Sequence, residues 1–197
     1  MRLPLALALS VMLAGPAIAS ASDDWRSRAA PADIQRLERL DKAWDAALSE
    51  VRAQGRGREL TRLGVLADPT VSLPRPHPTP GAYRCRMVKL GSRNAGPALV
   101  AYGWFRCRVA LTPGGDLILE KTTGSQRQAG LLYPEASRRL VFLGAVAWGV
   151  DEGRAEYGRD PERDQVGMLE RIGAGRYRLA LPWPKQESKL DLLELKR

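Results

Sequence analysis

Two cysteines, the only ones in the chain, each stand between two arginines, in the tripeptide "RCR" at 84–86 and again at 106–108. A cysteine pair can form a disulfide, and an arginine can hold a carboxylate or phosphate through two parallel hydrogen bonds. Successive side chains of a strand point to opposite faces, so the cysteines face one way and the arginines the other. We therefore expect a core disulfide between Cys85 and Cys107. The candidate anion-binding face consists of Arg84, Arg86, Arg106 and Arg108.

The arginines raise a question of charge balance. If the two strands pair directly with the cysteines opposite each other, Arg84 lies opposite Arg108 and Arg86 lies opposite Arg106. Like charges placed opposite each other destabilise a sheet. Two explanations stay open at this point. Carboxylates of a neighbouring strand or loop form a network over the arginines, or an external phosphate, carboxylate, sulfated glycan or acidic partner binds there.

A second candidate site lies in the polar segment 151–165, "DEGRAEYGRDPERDQ". It is longer than a hairpin requires, and long ordered loops are often functional. The candidate loop site consists of Tyr157, Asp160 and Asp164. Its acids alternate as in some calcium loops, but the glycine and the late glutamate of an EF-hand are missing. We therefore expect a loop ordered by salt bridges, and no metal site.

The residues for catalysis are largely missing. The lone histidine, His77, lies among prolines, so a Ser-His-Asp or Cys-His arrangement has no base. Phosphate-binding glycine motifs and a zinc-protease helix do not occur. Paired carboxylates for glycoside cleavage stay open for Glu120, Glu170 and Asp164. We expect a protein without a cofactor that is not an enzyme, and a hydrolase of envelope polymer is the third hypothesis.

The N-terminus has the pattern of a signal peptide over residues 1–19. Arg2 precedes the apolar run Leu3–Ala14, and Gly15-Pro16 breaks this run ahead of a cleavage site near Ala19. The run is shorter than the ~20 residues that cross a bilayer, and no later stretch replaces it. We expect a periplasmic or secreted protein, in a compartment that maintains disulfides.

Helical periodicity follows in residues 20–67. Apolar residues recur every three or four positions over Pro31–Ala53, and a shorter pattern covers Gly57–Leu66, so we predict a helical hairpin. Residues 68–81 contain five prolines, including "PRPHPTPG". Alternating prolines hold a chain extended, so this segment is predicted to be a strap across the surface.

From residue 82 to 197 the period changes to two, which is typical of strands separated by short turns. The predicted strands are Ala82–Leu90, Ala98–Leu111 with a kink near Gly103, Gly115–Thr123, Arg127–Tyr133, Arg138–Trp148, Gln165–Ile172, Arg176–Pro182 and Lys189–Lys196. About eight strands in series favour an antiparallel up-and-down barrel, with a sandwich as the alternative. The fold class is thus α+β, mainly β, and residues 20–197 form one structural unit.

Charge and composition restrict the partners. The chain carries a formal net charge of +9, which attracts polyanions, but only 6% of its residues are aromatic. Single-stranded nucleic acid is commonly bound by aromatic residues within a basic groove, so nucleic acid is not an expected partner. An unidentified small ligand or an envelope protein is expected instead.

Five stretches resemble an exported bacterial family that is known only as a domain of unknown function. They are "GAYRCRMVKLG", "YGWFRCRV", "YPEASRRLVFLGA", "YGRDPERDQVGMLERIG" and "LPWPKQESKLDLLEL". The resemblance covers roughly Trp25 to Leu195, and it implies no activity and no functional residue. More distantly, the strand series is similar to lipocalin-type barrels, among which are bacterial protease inhibitors.

The leading functional hypothesis is a non-enzymatic binding module of the cell envelope. It would recognise a small ligand inside the barrel or an anionic partner on the arginine face. An interaction with another protein, including protease inhibition, is the alternative.

Overall fold

The computed structural model describes residues 24–197 of the chain. The predicted signal peptide lies outside these residues. The strands are β1 Gly81–Ser92, β2 Leu99–Ala101, β3 Phe105–Leu111, β4 Leu117–Lys121, β5 Arg127–Ala136, β6 Arg139–Ala147, β7 Asp164–Gly173, β8 Arg176–Pro182 and β9 Ser188–Lys196. They follow the period-two pattern of the sequence to within a few residues at most ends.

The sheet closes into a barrel. From β3 onward each strand pairs antiparallel with the next, β1 pairs with β3, and β9 returns to pair with β1. Eight strands complete the barrel, and β2 is an extra strand on β1. The expectation of a mainly β protein with an antiparallel barrel is confirmed, and the sandwich alternative is wrong.

The predicted strand Ala98–Leu111 is interrupted at Tyr102, Gly103 and Trp104. β2 pairs with Val88–Leu90 and β3 with Gly81–Cys85, so the two strands lie along the same edge of β1. At the interruption, the amide of Tyr102 donates to the carbonyl of Met87 over 2.9 Å. β4 pairs with β3 and ends at Lys121, so it does not continue alongside β2. Among the described residues, no strand pairs with the second edge of β2.

Apolar side chains fill most of the barrel interior. They come from alternate positions of every barrel strand, as the sequence pattern requires. Phe142 lies fully buried in this cluster, beside the glycine pair Gly130 and Gly144, which face each other across β5 and β6. A Cβ atom at Gly144 would overlap both the Phe142 ring and the carbonyl of Ala129. The two glycines therefore make the room that the ring occupies.

Helices cover part of the outer wall. They are α1 Trp25–Arg28, α2 Pro31–Glu38, α3 Leu40–Ala53 and α4 Gly57–Leu63, and a 3₁₀ helix follows at Gly64–Ala67. The single helix expected over 31–53 divides at Arg39, whose backbone (φ −98°, ψ 18°) departs from helical values. Ala43, Trp44 and Ala47 of α3 are buried against outer residues of β1, β8 and β9. The helices and the barrel thus share a second hydrophobic core.

The proline-rich segment closes one end of the barrel. The hydroxyl of Tyr83 donates to the carbonyl of Thr79 over 2.8 Å, and Tyr83 packs edge-to-face on Tyr177 with the ring centroids 6.2 Å apart. Pro76 and Pro78 are buried, whereas His77 is exposed. The tyrosine end of the barrel is therefore sealed. Among the described residues, no helix has the length and apolar character needed to span a membrane.

Candidate functional site

The structure confirms the disulfide between Cys85 and Cys107, whose Cα atoms are 5.8 Å apart. The cysteines do not lie opposite each other, however, because Tyr83 pairs with Cys107 and Cys85 pairs with Phe105. The disulfide therefore runs diagonally between the two strands. The register expected above, with the two cysteines opposite each other, is wrong by two residues. Arg84 lies opposite Arg106, and Arg108 lies opposite Ala82.

Arg86 belongs to an internal network of alternating charges. Its Nε atom is 2.6 Å from the carboxylate of Glu194, which is 1% exposed. Successive strand partners continue this row around the outer wall, and we call it the charge belt. The belt consists of Arg86, Glu194, Arg178, Glu170 and Arg139. For Arg86, a carboxylate of the protein itself supplies the anion.

The neighbouring row carries positive charges only. Arg84 of β1 lies between Arg106 of β3 and Lys196 of β9, and all three side chains are exposed. No carboxylate within residues 24–197 lies within 4.0 Å of their nitrogen atoms. We call Arg106, Arg84 and Lys196 the basic row. Three like charges on adjacent strands repel one another, so this row favours a bound anion.

Trp104 contacts the central cation of the basic row, Arg84. It lies in the break between β2 and β3 and is 40% exposed. The guanidinium of Arg84 is 4.9 Å from its ring centroid, and that of Arg86 is 5.0 Å away. Such cation–π contacts contribute about 0.5–1 kcal/mol at exposed sites. They restrict the arginine side chains in the absence of any partner.

Arg108 faces a different surface, a groove of about 820 Å³ on the outer wall of β3, β4 and β5. Glu120 lies opposite Arg108 and is 3.0 Å from Arg154 of the loop 151–163. Leu111, which is 58% exposed, lies at the edge of the groove. Apolar side chains such as Ile118 and Leu131 line the groove together with Arg108, Glu120 and Arg154. The four candidate arginines thus divide among three environments.

Two of the three candidate loop residues, Tyr157 and Asp164, anchor the loop. The hydroxyl of Tyr157 donates to Asp33 over 2.6 Å and accepts from the amide of Ala30 over 2.9 Å. Burial, and then the bond to Asp33, raise the pKa of Tyr157. Asp164 accepts from the amide of Gly158, and burial raises its pKa. These contacts tie the loop to the start of α2.

Asp160 is placed apart from this anchor. Its carboxylate accepts from the amide of Glu162 over 3.0 Å and lies 3.3 Å from Arg163. Within the described residues, no group of three or more acidic, histidine or cysteine side chains is placed to hold a metal ion.

The carboxylates considered for hydrolysis have separate partners. Glu120 pairs with Arg154, Glu170 pairs with Arg139 and Arg178, and Asp164 accepts from a loop amide. Each is therefore held by its own contact, and no bond among residues 24–197 links one of the three to another. This arrangement gives no support to a carboxylate pair for glycoside cleavage.

The barrel end opposite the tyrosines is polar. At this end the inward-facing positions of the strands carry polar side chains instead of apolar ones. We call this group of side chains the polar mouth. It consists of Lys89, Lys121, Gln128, Gln165 and Asp191, with Gln126 and Ser188 beside them. Lys89, Lys121, Gln128 and Asp191 are each at most 6% exposed. A cavity of about 170 Å³ opens beside them at the break between β2 and β3.

Lys89 and its neighbours balance one another's charge. Lys89 pairs with Glu187 over 2.6 Å and lies opposite Asp191 in the sheet register. Asp191 accepts a short hydrogen bond from Ser188. Burial raises the pKa of Asp191 to about 6, although the charge of Lys89 opposes this change. Lys89 is therefore neutralised within the protein.

Lys121 is different, because no carboxylate of the described chain lies within ion-pair distance of it. Its ammonium donates to the carbonyl of Gln126 over 2.5 Å and lies 4.0 Å from the centroid of the Phe105 ring. Burial, together with the nearby charges of Arg127 and Lys89, lowers its pKa to about 8. Lys121 is thus a buried cation that an anionic ligand would stabilise.

Comparison with known proteins gives a family and no function. Residues 25–195 match the family model described as Domain of unknown function (DUF4893). The chain belongs to this family. No curated protein matches the chain. No solved structure matches it either.

The structure of this DUF4893 family member reveals candidate binding residues that the sequence analysis did not identify. Lys196 completes the basic row because β9 closes the barrel beside β1. Lys121 and Gln128 reach the polar mouth because β4 and β5 direct alternate side chains inward. Period-two alternation places Lys121 on the same face as Leu117 and Leu119, so the sequence alone could have predicted that Lys121 faces the barrel interior. Lys121 and Gln128 meet across the β4–β5 hairpin, whereas Lys196 reaches Arg84 only because β9 closes on β1.

Proposed function

We propose that the protein is a non-enzymatic binding module of the cell envelope that recognises an extended polyanion through the basic row. The row of three exposed cations on adjacent strands, which has no acidic partner in the described part of the chain, carries this proposal. Each further phosphate, sulfate or carboxylate of an extended anion meets another cation of the row. The gain is greater than for a single anion, because counterions are released along the whole contact.

Three further observations support the proposal. Trp104 orders Arg84 before binding, which reduces the entropy lost when the complex forms. The charge belt beside the row holds Glu194 and Glu170 in internal pairs, so these carboxylates do not neutralise the row. The disulfide supports an exported protein, since oxidising compartments maintain such bonds. The lipocalin-like character of the barrel and the alternative of an interaction with another protein, including protease inhibition, stay predictions.

The test measures binding of a fluorescent heparin hexasaccharide, a polysulfated probe, over 50–300 mM NaCl. The variant Arg84→Gln/Arg106→Gln/Lys196→Gln should weaken binding about tenfold or more at low salt. The slope of log Kd against log salt concentration should fall by about one for each cation that contacts the probe.

A matched control removes the same three charges elsewhere. The variant Lys42→Gln/Arg52→Gln/Arg58→Gln changes exposed cations of α3 and α4 and leaves the basic row intact. It should bind the probe nearly as the unmodified protein does. Equal weakening in the two triple variants would mean that net charge alone attracts the probe, and the basic row would not be a site.

A further inference from the structure

The polar mouth contains a cation and an acceptor that the protein leaves without suitable partners. Lys121 is 5% exposed, yet within residues 24–197 its ammonium bonds only to a backbone carbonyl and an aromatic ring. An ammonium has three donors, so hydrogen-bonding capacity is left over. A buried charge is costly unless an opposite charge accompanies it.

Gln128 supplies the acceptor. Its side chain is 3% exposed, and its Oε1 atom has no hydrogen-bond partner among residues 24–197. An unpaired buried amide oxygen is destabilising, because it has lost its hydrogen bonds to water. The Oε1 atom of Gln165, which lines the adjoining cavity with Gln128, also has no partner. A ligand hydroxyl would satisfy either oxygen.

The cavity limits the size of the ligand. Its volume is about 170 Å³, and Lys121, Gln126 and Gln128 line it together with Tyr102 at the break in the wall. One water occupies about 30 Å³ in the liquid, so the cavity holds about five or six groups of that size. Gly124 keeps the space beside the ammonium open, since a Cβ atom there would lie 2.9 Å from both Lys121 Nζ and the Phe105 ring.

We propose that the polar mouth binds a small hydroxycarboxylate. Its carboxylate accepts a hydrogen bond from Lys121, and its hydroxyl donates one to the Oε1 atom of Gln128. Lys89 does not take the carboxylate, because Glu187 and Asp191 already balance its charge. This site lies inside the barrel, whereas the basic row lies on the outer wall, so the two proposals are independent.

The experiment is isothermal titration of the mature protein with four probes at pH 7. Lactate and glycerate carry both groups, acetate lacks the hydroxyl, and glycerol lacks the carboxylate. We expect saturable binding of lactate or glycerate, binding of acetate at least about tenfold weaker, and no binding of glycerol. Absence of saturable hydroxycarboxylate binding, or equal binding of acetate and lactate, overturns the proposal.

Variants assign the two contacts. Lys121→Met should weaken lactate binding about tenfold or more, whereas Lys42→Met, an exposed lysine on α3, should leave it unchanged. Gln128→Met should bind lactate no better than acetate, and this ratio is measured within one folded protein. Unchanged lactate affinity in Lys121→Met, or an unchanged lactate-to-acetate ratio in Gln128→Met, contradicts the assigned contacts.

A proton-linkage measurement adds a readout that a structural role would not produce. The pKa of Lys121 is about 8, lowered by burial and by Arg127 and Lys89, and a bound carboxylate raises it. Titrations at pH 8.5 in buffers of different ionisation enthalpy should therefore show proton uptake with lactate, and none in Lys121→Met. Binding without proton uptake at this pH would place the carboxylate away from Lys121.

Discussion

Arg178 is completely buried, although it lies on the outer wall of the barrel. Its guanidinium donates to the carbonyls of Asp68 and Val71 over 2.6 and 3.1 Å, and it pairs with the buried carboxylate of Glu170. The ring of Trp44 lies 4.9 Å away. One arginine thereby joins the barrel to α3 and to the chain that leads into the strap.

The variant Arg178→Met should lower the free energy of unfolding by about 3–5 kcal/mol, because it leaves several buried carbonyls without a donor and Glu170 with Arg139 as its remaining partner. Urea unfolding at pH 7 measures the change. The matched variant Arg139→Met removes the other ion-pair partner of Glu170. The Arg139 side chain is 46% exposed, so this variant should lower the free energy of unfolding by less than about 1 kcal/mol. Similar losses in the two variants would refute the joining role of Arg178.

Lys121 makes stability depend on pH in the alkaline range. Burial, Arg127 and Lys89 lower its pKa from 10.5 to about 8, so the unfolded chain binds more protons than the folded chain between these values. Stability from this group therefore rises as pH increases from about 8 to 10.5.

The difference between the unmodified protein and Lys121→Met isolates this effect from other titrating groups. The advantage of Lys121→Met in unfolding free energy should decrease across that range, by at most about 3 kcal/mol. Urea unfolding at intervals of half a pH unit measures it. A difference that stays constant with pH would show that the ammonium is well solvated.

At the scale of elements, β1 contacts three other strands. It pairs with β9 along most of its length, with β3 near its start and with β2 near its end. The disulfide connects β1 to β3 beside the break at 102–104, where the wall lacks continuous pairing. It therefore strengthens the barrel next to the opening of the polar mouth.

The double variant Cys85→Ala/Cys107→Ala should lose about 3 kcal/mol of unfolding free energy, given a sequence separation of 22 residues. Urea unfolding of the two proteins, without reductant, measures this loss. A thiol assay of the unfolded, unreduced protein supplies the control and should detect no thiol. Detection of two free thiols would contradict the disulfide.

At the scale of the whole molecule, the two barrel ends differ in chemistry. The strap and two tyrosines close one end, while the other end holds buried polar side chains and opens through the break between β2 and β3. The helices cover part of the outer wall and leave the basic row exposed. The two proposed sites share no residue, so substitutions in one should leave binding at the other unchanged.

The local patterns of the sequence were sufficient for most elements. Alternation in 82–197 predicted the strands, since side chains of a half-buried strand must alternate. The cysteines faced inward and the arginines outward for the same reason. The helix division at Arg39 was missed, because the apolar stripe continues across it. The break at Tyr102–Trp104 was predicted only as a kink, because Gly103 does not reveal how far pairing is lost.

The sequence by itself determined the disulfide partners, the mainly β character and the face on which each RCR residue lies, because these follow from residue type and the two-residue period. Only the tertiary structure decided which charges meet. Strand register and closure of β9 on β1 put Glu194 beside Arg86 and Lys196 beside Arg84. Closure likewise puts Asp191 opposite Lys89 at the polar mouth. Such contacts join residues distant in sequence, and local periodicity fixes the face of each side chain but does not distinguish registers that differ by two residues.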